Sequence, residues 1–140
     1  MKRVLRQTWL KPLFLFICLL GLSRPASAST FIIPTDDDMI IGARAIVTGR
    51  VLSVGSSYDQ NQDRIYTYVT IKVQEVIKGE ITERRIVLKE LGGEVGDKAM
   101  VVFGNPRFKT GEKVLLYLDT WSDGSLRVHQ MFLGKFDITK

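Results

Sequence analysis

Hydrophobic and polar residues alternate most regularly between Arg64 and Ile77. Ile65, Thr67, Val69, Ile71 and Val73 fall on one face, and Tyr66, Tyr68, Thr70, Lys72 and Gln74 on the other. A period of two predicts a long strand, with Val69 and Ile71 pointing inward and Tyr68 and Lys72 outward. Val76 breaks the parity set by Val73, which predicts a bulge near Gln74 and Glu75. Upstream, Ala45, Val47, Gly49 and Val51 alternate with Ile46, Thr48, Arg50 and Leu52. This is a first strand, in which Gly49 marks a bend or bulge. Between the two, Gly55 to Asp63 reads as a polar loop.

Three further strands are expected at Arg85–Glu90, Lys113–Leu118 and Leu126–Leu133, with a short last segment from Lys135 to Ile138. Lys78-Gly79-Glu80, Lys109-Thr110-Gly111-Glu112 and Ser122-Asp123-Gly124-Ser125 are turns, the last of them a hairpin turn. Leu91 to Gly111 carries five glycines and Pro106 and forms the longest irregular stretch. Within it, Gly92 to Gly96 reads as a flexible linker, and Met100 to Phe103 as a short strand or covering flap. One short helix is expected after Thr35. This residue suits an N-cap, and Asp36, Asp37 and Asp38 would occupy a first turn, where the helix dipole favours negative charge.

The N-terminus has a different pattern. Lys2, Arg3, Arg6 and Lys11 precede an apolar run from Pro12 to Leu22, and Ser23 to Ala28 forms a polar break ending in A-x-A. These are the three parts of a secretory signal peptide, cleaved between Ala28 and Ser29. The apolar run is about half the ~20 residues that a membrane-spanning helix needs. The expected mature product is therefore residues 29–140, one domain, secreted or periplasmic, meeting a membrane only during export.

Removing the first 28 of 140 residues leaves 112, enough for one core. It also changes the charge. Five of the 20 basic residues and none of the 15 acidic ones lie in that segment, so the remainder carries 15 of each. The high isoelectric point belongs to the targeting segment and gives no support for nucleic-acid binding. The single cysteine, Cys18, leaves with it, which excludes disulfides and thiolate metal sites from the mature domain.

Five strands, a long second strand and a core without disulfides suggest an all-β, five-stranded OB-fold-like barrel with one short N-terminal helix. Ala43 to Val51, Tyr68 to Gly79 (YVTIKVQEVIKG), Pro106 to Leu118 and Gly134-Lys135-Phe136 resemble a group of small exported bacterial domains of uncharacterised function. More distantly, they resemble the netrin-like domain of tissue inhibitors of metalloproteinases. The resemblance implies the barrel fold. The zinc-chelating N-terminal cysteine of those inhibitors has no counterpart here, because the mature chain starts Ser29-Thr30-Phe31.

Candidate chemistry is sparse. His129 is the only histidine, which excludes H-E-x-x-H and multi-histidine zinc sites. No G-x-S-x-G elbow accompanies it, so it reads as an ordinary strand residue, with a hydrolase built around it as the alternative. Lys109-Thr110-Gly111 lacks the S-x-x-K and S-D-N partners of penicillin-binding enzymes. Asp59, Asn61 and Asp63 have the spacing that opens a calcium loop. However, Arg64 replaces the turn glycine and Thr70 the closing glutamate. Gly92 to Gly96 lacks the G-x-x-x-x-G-K pattern of a phosphate loop.

The expectation is an exported, non-enzymatic binding or protein-interaction domain without a cofactor. The alternative is a structural envelope or accessory domain. OB-folds bind on the outer face of strands two and three and with the flanking loops. That choice nominates Tyr66, Tyr68 and Lys72 on the face, Tyr58 in the first loop and Trp121 in the second. Aromatic groups there suit an extracellular or envelope protein, a peptide or a glycan.

Overall fold

The computed structural model describes residues 33–61 and 63–139. The expected signal peptide and its Ala28–Ser29 cleavage point lie outside the described residues. Strands dominate the rest, with one short α-helix. The order is α1 (Asp36–Gly42), β1 (Ala45–Tyr58), β2 (Ile65–Lys78), β3 (Arg85–Leu91), β4 (Gly93–Val95), β5 (Lys98–Met100), β6 (Lys113–Thr120), β7 (Leu126–Val128) and β8 (Lys135–Asp137). A 3-10 turn at Met131–Gly134 separates the last two strands.

Helix α1 begins as its sequence predicts. The Thr35 hydroxyl accepts from the Asp38 N–H at 3.2 Å, while the Asp38 carboxylate accepts from the Thr35 N–H and hydroxyl. This is a reciprocal capping box. Those hydrogen bonds hold the Asp38 carboxyl below its ordinary range. The other end is closed from a distance. Lys78, the last residue of β2, donates its ammonium protons to the carbonyls of Ile40, Ile41 and Ala43 at 2.6–3.1 Å. A cation there also meets the negative end of the helix dipole. The next residue, Gly79, has φ +84°, and a side chain on it would press on the Arg44 carbonyl and on Ala45. The Lys-Gly pair at the end of β2 is thus a helix stop and a close backbone crossing.

The main sheet has six strands in the order β1-β2-β3-β7-β6-β8. Strands β1–β2, β2–β3, β6–β7 and β6–β8 pair antiparallel, and β3 meets β7 in parallel at Leu88 and Leu126. Strand β6 also pairs antiparallel with β1, from Ala45↔Leu118 to Arg50↔Lys113. The inward residues of these strands make one core: Val47, Val69, Ile71, Leu88, Leu116 and Leu118 are among its most buried members. Val69 and Ile71 have no exposed surface and Lys72 is exposed, as the alternation predicts.

The predicted bulge is present. Thr48 pairs with Glu75 but Gly49 with Val73, which leaves Gln74 as the extra residue. Two more slips follow the same logic, at Ile77 on β2 and Leu52 on β1. Gly49 faces the first of these strands at close range. A Cβ there would lie 2.6 Å from the Ile71 Cγ2 and 2.7 Å from the Lys72 carbonyl oxygen. The bend needs a residue without a side chain.

Three segments differ from expectation. Gly55 to Tyr58 belongs to β1, paired with Ile65–Tyr68, so the loop shortens to a turn after Tyr58. The Ser56 and Thr67 hydroxyls bond across the pair at 3.0 Å, and the turn is closed by Asp59. Its Oδ1 accepts from the Asp63 and Arg64 N–H groups at 3.0 and 3.2 Å. The oxygen that suggested a calcium ligand therefore serves a hairpin turn. Gly93–Val95 and Lys98–Met100 pair as a two-stranded hairpin where a linker was expected. The fifth strand stops at Val128, because Gln130 and Met131 adopt left-handed φ values of 54° and 58°. Its Leu126–Leu133 span is therefore cut to Leu126–Val128.

Candidate functional site

Cross-strand partners share a face, so the register maps the outer surface of β1–β3 in rows. One row is Gly55–Tyr68–Lys89, and the next toward the hairpin turn is Ser57–Tyr66–Leu91. Toward the opposite end come Ser53–Thr70–Val87 and then Arg50–Lys72–Arg85. The structure thus brings Tyr66, Tyr68 and Lys72 onto one outward face, with Lys72 two rows from Tyr68. Tyr58 is not on it. It pairs with Ile65, whose side chain is buried, so it belongs to the opposite face, and it ends β1 instead of lying in a loop.

Trp121 reaches the edge of this face from the β6–β7 turn. Its indole N–H donates to the Lys89 carbonyl at 2.6 Å, and the Arg127 guanidinium lies 4.5 Å from its ring centroid. The side chain is half-buried and pins the turn to β3. Lys89 links the neighbouring groups. Its ammonium stands 4.5 Å from the Tyr66 ring centroid and bonds the Asp123 carboxylate at 2.6 Å. That bond raises the Lys89 ammonium above its ordinary range. The same bond, with those from Ser125, holds the Asp123 carboxyl far below the usual carboxylate range. Tyr66, Lys89, Asp123, Trp121 and Arg127 form one connected polar and aromatic strip.

Behind this strip lies a group that the sequence reading missed. Glu90 is buried at 6% exposure, among inward positions of β3 otherwise held by Ile86 and Leu88. Its Oε1 accepts from the Val128 N–H at 2.6 Å. Burial pushes its pKa up to about 7, against the opposing pull of that N–H and of Arg127. The signal was present in the alternation of Ile86, Leu88 and Glu90, which puts a carboxylate in a core register.

Glu90 lines two concavities. The larger, about 510 Å³, has Ser56, Thr67, Glu90 and Gly92 along one side and Val101 and Phe108 among its apolar lining. The smaller, about 230 Å³, is lined by Glu90, Asp119, Trp121, His129 and Met131 among others. His129 Nδ1 stands 3.5 Å from the Asp119 Oδ2. Its Nε2 faces Gly42, where an added Cβ would come within 2.9 Å. The ring is therefore wedged between the end of α1 and Asp119, an arrangement that orients a packed side chain.

Among the described residues, no cluster of three or more His, Cys, Asp or Glu side chains is arranged to hold a metal ion. No described helix is long and apolar enough to cross a membrane. Comparison with family models, with curated proteins and with solved structures finds no match for this chain.

Proposed function

We propose that this chain is an exported, non-enzymatic binding domain built on an OB-fold-like barrel, secreted or periplasmic, that takes its partner on the outer face of β1–β3. Two observations support the barrel. The pairings run β1-β2-β3-β7-β6 and return to β1, and the β3–β7 contact is parallel. A five-stranded Greek-key barrel uses such a path. The netrin-like resemblance points the same way. The binding role rests on one observation above all: Tyr66, Tyr68 and Lys72 share an outward face whose edge is formed by Trp121 and Lys89. Aromatic rings beside hydrogen-bonding and cationic groups suit a glycan, a peptide or an envelope protein. The reading needs no cofactor and no nucleic acid.

The test is capture of a partner from envelope extract and culture fluid by immobilised residues 29–140, compared with Tyr68→Ala. Tyr68 is only half-buried and outward, so the variant should stay folded and lose the partner. Capture that is indifferent to Tyr68→Ala would refute this face as the binding site.

A further inference from the structure

One row of the outer face is entirely cationic. Lys113 on β6 pairs with Arg50 on β1, Arg50 with Lys72 on β2, and Lys72 with Arg85 on β3. Four basic residues from four adjacent strands stand in register, separated by about 4.8 Å per strand step. Among the described residues, none of the four is in an ion pair with a carboxylate. Glu112, next to Lys113 in the chain, is engaged by the Lys135 ammonium at 3.3 Å and by the Lys109 N–H at 3.0 Å. Arg50 is held in place by a 2.8 Å bond from its Nη1 to the Gly111 carbonyl.

Like charges directly opposite one another work against a sheet. Residues 29–140 contain as many acidic as basic side chains, so neutralising partners were available in the composition. Three successive like-charge pairs are a cost that an anionic ligand would relieve. Beyond the row, the same face continues on one side with Ser53, Thr70 and the exposed Val87 and then Tyr68, and on the other with Thr48 and Glu75. Hydroxyls and an aromatic ring are what a sugar chain uses for hydrogen bonds and stacking.

Resting on the binding-face reading above, we propose that the ligand is an anionic polysaccharide. Its carboxylate or sulfate groups lie along Lys113–Arg50–Lys72–Arg85, and its sugar rings reach Tyr68. Charge complementarity selects the polyanion. The adjoining hydroxyls and tyrosine select a sugar backbone over a lipid surface, which would call for a cluster of protruding apolar groups where the adjoining row has the single exposed Val87.

The experiment measures binding of residues 29–140 to heparin and to polygalacturonate. Dextran, single-stranded DNA and phosphatidylglycerol vesicles are the comparison probes. Both anionic polysaccharides should bind, with affinity falling steeply as salt rises. Lys72→Gln/Arg85→Gln should weaken that binding tenfold or more while the melting temperature stays level or rises at low salt. The charge-matched pair Lys98→Gln/Arg107→Gln, off the row, should leave it within twofold. Equal binding by the two double variants overturns the proposal, as does a drop in melting temperature with Lys72→Gln/Arg85→Gln. Tighter binding of DNA or vesicles than of either polysaccharide also overturns it. Dextran binding that depends on Tyr68 but not on Lys72 and Arg85 would remove the anionic ligand and keep the binding face. Loss of neither on Tyr68→Ala would remove the face as well.

Discussion

The Glu90 carboxylate accepts the backbone N–H of Val128 at 2.6 Å, so a side chain supplies the link where β3 and β7 share only one pair of ladder partners. The parallel contact is short because Gln130 and Met131 turn the chain away directly after β7. An acidic group in the core register compensates for the missing ladder, and burial raises its pKa to about 7.

That linkage has a definite sign. The folded-state pKa lies above the ordinary 4.5, so the native state holds a proton that the unfolded chain has released. Glu90's contribution is fully present below about pH 4.5 and is lost as pH rises through about 7. The loss across that window is on the order of 3 kcal/mol. Glu90→Gln keeps an acceptor for Val128 and has no charge to bury. Its denaturation midpoint, measured by urea titration at pH 5 and pH 8, should exceed that of the native chain at pH 8 and fall less between the two. Parallel pH profiles for the two proteins would contradict the assignment.

The register of β2 makes a paired prediction. Ile71 is fully buried and its neighbour Lys72 is exposed. Ile71→Ala should cost about 2–5 kcal/mol, and Lys72→Ala should stay within about 0.5. Chemical denaturation measures both, and equal midpoints for the two variants would refute the register.

Lys78 should matter to α1 more than to the sheet. Its ammonium serves three carbonyls at the end of the helix. Lys78→Met keeps the stem and leaves those carbonyls to water, at a cost of about 1–3 kcal/mol for charge-assisted bonds. Amide hydrogen exchange should accelerate in Asp36–Ala43 and stay unchanged in β6. Uniform acceleration throughout the chain would contradict a local role.

Trp121 reports on the strip at the face's edge. It is the only tryptophan in residues 29–140. With its N–H bound to the Lys89 carbonyl and Arg127 over its ring, its emission should be blue-shifted and partly shielded from iodide. Trp121→Phe retains an aromatic ring and strands the Lys89 carbonyl, which should cost about 1–2 kcal/mol. A fully red-shifted, freely quenched spectrum would show that the turn does not dock.

The alternation along each strand was enough to assign faces. It put Val69 and Ile71 inside and Tyr68 and Lys72 outside, and the break at Val76 located the bulge at Gln74. Thr35 with Asp38 was enough to start a helix, because capping is a local hydrogen-bonding problem. Local pattern was weaker where polarity and backbone geometry compete. Ser56 and Ser57 read as loop, yet their backbone groups pair with Thr67 and Tyr66. Leu126 to Leu133 read as one strand, yet left-handed residues end it early.

What stands beside what was decided only by tertiary structure. Arg50, Lys72, Arg85 and Lys113 are each outward by their own alternation, but they stand on four separate strands, and the slip at Leu52 offsets β1 against β2 between their shared turn and the row. Only the pairing of β6, β1, β2 and β3 sets the four cations in one row. Glu90 meets Val128, and Lys78 meets the end of α1, for the same reason. Side-chain facing is a property of a strand with period two, whereas register depends on closing backbone hydrogen bonds between segments whose separation along the chain carries no phase.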